Sequence, residues 1–125
     1  MRLEPNRRTA LTITLYHNPR CSKSRATLKL LDEHGVSANV VDYQKTPPTH
    51  VELQELLKLL GMTPRELMRT QEPAYREANL DDPQLTDDQL INAIIADPIL
   101  LQRPIVVAHG KAAVGRPPEN VLDIL

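Results

Sequence analysis

The chain has 125 residues, of which 41% are apolar and 25% charged, and a formal charge of −1. That length fits one compact domain, residues 1–125, and the absence of Phe and Trp calls for an aliphatic core. The balance excludes a disordered chain and shows no basic surplus for nucleic acid. No apolar run approaches the roughly 18 residues of a membrane span.

Residues 1–10 read as a loose lead-in. Leu11 to Tyr16 is too short and Thr-rich for a signal-peptide core, so the expected compartment is cytoplasmic. Residues 12–16 alternate and are β-branched, which predicts a strand. His17-Asn18-Pro19-Arg20 breaks it. A helix is expected from about Ser22 to His34, with Leu28 and Leu31 on one face and Gly35 as its stop. Residues 38–43 predict a second strand, and Thr46-Pro47-Pro48 a turn.

Thr49 and Glu52 have capping-box spacing ahead of Leu53, Leu56, Leu57 and Leu60, the pattern of a buried helix face. Gly61 ends that helix. Thr63 with Glu66 and Thr86 with Gln89 repeat the box. Residues 62–97 are expected to be mostly helical, broken near Pro73 and Pro83. Strands at 105–108 and 112–114 flank a tight turn, His109-Gly110-Lys111. Pro117 to Leu125 predicts a short closing helix. The order is α/β: β-α-β, then a helical insertion at about 49–97, then β-β-α. This is the thioredoxin-like order.

Cys21 is the single cysteine, which suits a reducing compartment. It sits between a strand and a helix. First-turn N–H groups lack internal partners and favour a thiolate, and the same terminus attracts anions. Arg20, Lys23 and Arg25 add positive charge, and Ser22 and Ser24 add hydrogen-bond donors. These polar flanks do not describe a core cysteine. Ser24 holds the second position of a Cys-x-x-Cys pair, so a two-cysteine cycle is excluded. Thr27 stands where a tyrosine-phosphatase phosphate loop would need Arg. No metal site is expected, because the histidines lie far apart in sequence. His34, His50 and His109 are read as solvent-exposed.

The run His17-Asn18-Pro19-Arg20-Cys21-Ser22-Lys23-Ser24-Arg25 resembles the ArsC family, the glutaredoxin-coupled arsenate reductases. The likeness continues through Asp42-Tyr43, Pro47-Pro48, Glu66-Leu67-Met68-Arg69 and Leu85 to Ile91. It then runs through Pro98 to Val107, Gly115-Arg116-Pro117 and Val121 to Leu125, and so covers about residues 12–125. Ser22-Lys23 stands where the plasmid-type enzymes have Gly-Thr.

The resemblance implies a thioredoxin-like fold with Cys21 as nucleophile. His17 and Ser24 would lower its pKa, and Arg69, Arg103 and Arg116 would bind the oxyanion. Asn18 and Arg25 would shape the site, and Pro104 would be the cis-proline facing the cysteine. The expected activity is reduction of arsenate to arsenite by a monomer. Glutathione would be co-substrate, glutaredoxin the protein partner, and no cofactor would be bound. Neither nucleic acid nor membrane is an expected partner. Two alternatives stay open. One is a glutathione-linked thiol-disulfide oxidoreductase. The other is a non-catalytic Spx-like regulator binding RNA polymerase, although the usual form of that family carries the Cys-x-x-Cys that Ser24 interrupts.

Overall fold

A computed structural model describes residues 13–125; the lead-in of residues 1–10 and Thr12 of the first strand lie outside the described residues. The chain divides into two compact units. One runs to Asp42 and resumes over Arg103–Leu125; the other is Tyr43–Gln102 and contains the segment expected as an insertion.

The first unit is built on a four-stranded sheet in the order β2-β1-β3-β4. Strand β1 (Ile13–His17) buries alternate residues, Ile13, Leu15 and His17, as a half-buried strand should. It pairs in parallel with β2 (Asn39–Asp42) and antiparallel with β3 (Ile105–Ala108), which pairs antiparallel with β4 (Lys111–Val114). Helix α1 (Ser22–Glu33) makes the right-sized crossover for the parallel pair. Ile13, Leu15, Leu31, Val106, Ala108 and Val121 form the core. This is the thioredoxin-like arrangement.

Helix α1 buries Ser24, Thr27 and Leu31, so its first two turns turn hydroxyls inward and only its last turn adds a buried apolar side chain. Gly35 follows at φ 71, and the Val36 N–H bonds back to Leu31 O at 2.9 Å. That left-handed exit explains why the helix stops at Glu33.

The β3–β4 turn is shorter than expected. Ala108 pairs with Lys111, so the loop is His109-Gly110 alone and Lys111 belongs to the strand. Both loop residues have positive φ, 54 and 74, which matches the twist of a two-residue hairpin. The chain closes on a 3₁₀ helix, Pro118–Ile124, rather than an α-helix. Two prolines at its start remove N–H donors from the first turn.

The second unit is helical. Helix α2 (His50–Leu60) opens on a complete Thr49–Glu52 capping box, buries Leu53, Leu56 and Leu57, and ends at Gly61 with φ 66. Helix α3 (Pro64–Leu67) opens on Thr63–Glu66 and helix α5 (Asp87–Ala96) on Thr86–Gln89, again with both hydrogen bonds of the box. Helix α5 buries Leu90, Ile91 and Ile94 and packs on α2 and α3.

Between α3 and α5 the chain is less helical than the sequence suggests. The expected break near Pro73 is present: α3 ends at Leu67, and Pro73 opens α4 (Pro73–Glu77) at a position where its missing N–H is not needed. Residues 78–86 are turns, with Asn79 at φ 55. Arg65 supplies the reason. Its guanidinium donates to the Leu80 carbonyl, to the Tyr75 hydroxyl and, at 3.0 Å, to the Asp82 carbonyl. These bonds satisfy carbonyls that a continued helix would have bonded along its own axis. Among the described residues no helix is long and apolar enough to cross a membrane.

Candidate active site

The turn between β1 and α1 is closed by hydrogen bonds to Asn18. Its carbonyl accepts from the Cys21 N–H at 2.9 Å, and its side-chain oxygen accepts from the Arg20 N–H at 3.0 Å. The Asn18 N–H in turn donates to the Ser24 hydroxyl at 3.3 Å. Arg25 Nη1 donates to the Pro19 carbonyl at 2.8 Å. Asn18 and Ser24 are buried, so this turn is held by contacts that water does not replace.

Cys21 is the residue that caps α1, half-buried and with extended backbone angles, φ −94 and ψ 124. No short side-chain cap bond closes there. Burial on its own pushes the thiol pKa up. The backbone N–H groups of Ser24 and Lys23 and the Arg103 guanidinium outweigh it, and the net result is a thiol below its ordinary value.

Arg103 and Arg116 both come to this cysteine. Arg116 Nη2 lies 3.9 Å from Sγ, and its Nε donates to the Arg103 carbonyl at 2.8 Å. That second bond aims the fork of Arg116 and ties the two arginines to each other. Asn120 Nδ2 holds the Arg116 carbonyl at 3.1 Å. Arg103 is different. Its Nε and Nη1 are buried and have no hydrogen-bond partner among the described residues. Buried guanidinium donors of this kind are suited to pair with an anion. The Arg103–Pro104 and Arg116–Pro117 bonds are both cis.

His17 ends β1 in register with Asp42 of β2 and is buried, with Nδ1 unpartnered. Burial pushes its pKa down; the charge of Asp42 opposes this and that of Arg25 adds to it. A neutral imidazole is therefore the favoured form near pH 7. The first-turn N–H groups and Arg103 lower the cysteine pKa.

Arg69 belongs to the second unit. There its guanidinium pairs with Glu72 at 3.1 Å, and its N–H bonds to the Leu100 carbonyl. The remaining histidines divide. His34 and His109 are exposed, but His50 is half-buried and lies between Asp88 Oδ1 at 3.1 Å and Asn92 Oδ1 at 3.0 Å. Its acidic partner is 38 positions away in the chain, beyond the reach of a local sequence pattern. Thr27, Gly115 and Asn120 also bear on the site, and no local signal pointed to Thr27 or Asn120.

Comparison with known proteins agrees with this geometry. A sequence model of the ArsC family matches residues 16–124. The uncharacterized protein YfgD of Escherichia coli (strain K12) is 55% identical over 114 residues, covering 90% of this chain and 96% of that one. The arsenate reductase of Neisseria meningitidis serogroup A is 52% identical, covering 90% and 97%. The solved structure of an arsenate reductase from Vibrio cholerae is 49% identical, with a TM-score of 0.90, over 93% of this chain and 99% of that one. Matched along nearly its whole described length in sequence and in fold, with a cysteine-capped helix at its centre, the chain belongs to the ArsC family.

Proposed function

We propose that this protein is an arsenate reductase that works through the Cys21 thiolate. One observation carries the reading: Arg103 holds two buried, unpartnered guanidinium donors at a cysteine whose thiol is already biased towards the thiolate. A nucleophile and an oxyanion cradle share one place. The names of the relatives support arsenate as the oxyanion.

In this reading the oxyanion takes the free donors of Arg103, with Arg116 aimed by the Arg103 carbonyl. Family resemblance adds Arg69 to the set. Guanidinium forks suit a tetrahedral anion and offset its charge. The Cys21 sulfur attacks arsenic, an S–As bond forms, and one arsenate oxygen leaves as water after taking up two protons. The thiol of glutathione then completes the reduction. Two sulfurs lose one electron each and join as a Cys21–glutathione disulfide. Arsenic takes up the two electrons and leaves as arsenite. A glutaredoxin thiolate attacks the glutathione sulfur of that disulfide, so a glutaredoxin–glutathione disulfide forms and Cys21 leaves as the thiolate. Ser24 and Asn18 hold the turn, Arg25 braces it through the Pro19 carbonyl, and Pro104 backs the cysteine. No bound cofactor is required; glutathione is a co-substrate. The protein works as a cytoplasmic monomer.

The test is arsenate-dependent NADPH oxidation coupled through glutathione, glutaredoxin and glutathione reductase. The wild type turns over, and Cys21→Ser falls to background while keeping its fold. A folded wild type that oxidises no NADPH on adding arsenate overturns the reading. Turnover of a glutathione mixed disulfide in its place, insensitive to the arginines, identifies a thiol-disulfide oxidoreductase. Turnover of neither substrate, with capture of RNA polymerase, identifies a regulator.

A further inference from the structure

The sulfur and its two arginines are carried by three separate pieces of chain. Cys21 caps α1, Arg103 precedes Pro104 at the entrance to β3, and Arg116 follows Gly115 at the exit from β4. What sets their spacing is a contact one residue removed from each. Gly115 is buried, and its N–H donates to the Pro104 carbonyl at 2.9 Å. A Cβ placed on Gly115 would lie 2.7 Å from Thr27 Oγ1 and 2.8 Å from Pro104 Cγ. Real carbon atoms do not approach that closely.

Neither neighbour has slack. Thr27 is fully buried, and its hydroxyl is tied to the Lys23 carbonyl at 2.9 Å, one turn back towards the cysteine. Pro104 is buried and its ring cannot rotate away. Gly115 has no positive φ, unlike Gly35, Gly61 and Gly110. What a side chain at this position meets is a lack of space.

We infer that Gly115 is a positioning residue: the missing side chain lets the β4 exit seat against Thr27 and Pro104, and that seat sets the distance from the Cys21 sulfur to the Arg103 and Arg116 guanidinium groups. The inference rests on the arsenate reductase reading for its effect on turnover, but its effect on the sulfur is independent of it. A Cβ at position 115 moves α1 away from the arginine-bearing segments. The sulfur then loses part of its Arg103 and Arg116 contact, and the oxyanion loses its fitted cradle.

The experiment compares wild type, Gly115→Ala and Gly115→Ala with Thr27→Ala. Three quantities are read: far-UV circular dichroism, the pH midpoint of Cys21 alkylation by iodoacetamide, and arsenate kcat/KM. Gly115→Ala keeps the dichroism spectrum, moves the midpoint upward and lowers kcat/KM roughly tenfold or more, as sub-ångström misplacement does at a reacting centre. Adding Thr27→Ala removes the nearer obstacle and brings the midpoint part of the way back. A merely structural glycine lowers the melting temperature and leaves the midpoint where it was, and that result overturns the inference. So does a midpoint that Thr27→Ala fails to bring back. If Gly115→Ala does not fold, Thr27→Val on the wild-type glycine thickens the same contact. It must raise the midpoint, and an unchanged midpoint rejects the role of the contact. If the wild type ignores arsenate, the function reading fails, while the midpoints still decide the role of Gly115.

Discussion

The two units of this chain differ in how they answer particular arginine and histidine side chains. In Tyr43–Gln102 each arginine or histidine singled out above is answered within the unit. Arg65 binds the Tyr75 hydroxyl and two carbonyls, Arg69 pairs with Glu72, and His50 is held by Asp88 and Asn92. Three threonine capping boxes close helix ends. In the sheet unit, Arg103 Nε and Nη1 and His17 Nδ1 are buried with no partner among the described residues. Burying a donor without an acceptor costs about 1–3 kcal/mol. A fold tolerates that where the empty donors serve something other than the fold. The same residue type, arginine, is thus answered at Arg65 and Arg69 and left with unpartnered buried donors at Arg103.

The largest expected effect comes from changing the two arginines beside Cys21. Arg103→Ala lowers arsenate kcat/KM by roughly ten- to a hundredfold, the equivalent of one charge-assisted hydrogen bond, and raises the Cys21 alkylation midpoint. Arg116→Lys gives a loss of the same order although the charge is kept, because lysine has no Nε–H to anchor on the Arg103 carbonyl and no fork. Thermal stability changes little in either. If Arg103→Ala unfolds the protein and restores normal kinetics in the folded remainder, the contrast between the units is broken.

Arg65→Ala is the counterpart in the second unit. It should lower stability by about 2 kcal/mol in urea unfolding, since it strands the Leu80 and Asp82 carbonyls and the Tyr75 hydroxyl together. The alkylation midpoint of Cys21 stays at its wild-type position. A smaller loss, about 1 kcal/mol, follows from Thr63→Ala, which removes the cap of α3. An altered sulfur midpoint in either variant would show that the helical unit tunes the thiol.

The smallest expected effect is a pH dependence. The folded pKa of His17 lies below its ordinary value of 6.5, chiefly through burial. Between 6.5 and the lower folded value, the unfolded chain binds more protons than the folded one. Stability therefore rises with pH across that window and is lost as pH falls through it. His17→Gln should flatten that limb in a series of urea unfolding curves. An identical slope in the variant would assign the acid loss to another group.

Local pattern was enough wherever a residue answers to its neighbours in sequence. The capping boxes, the buried leucines of α2 and the cysteine at a helix start all depend on spacings of a few residues. Local pattern misjudged residues 78–86, because the Arg65 bonds that make turns of them join positions 15 and 17 apart. It also took His50 for a solvated side chain.

The amino-acid sequence by itself determined where the thiol stands and what surrounds it locally: a strand, a turn closed on Asn18 and a helix whose first N–H groups meet the sulfur. Those features need only short-range hydrogen bonds and steric limits on the backbone. Only the tertiary structure decided which arginines stay open. Arg65, Arg69 and Arg103 are the same residue type, and what separates them is whether a carbonyl or carboxylate lies within reach after folding. It decided, too, that Gly115 has no room for a methyl group, since Thr27 of α1 and Pro104 across the hairpin both reach it. Close packing is a property of surfaces brought together, and a sequence pattern holds no record of the gap left between them.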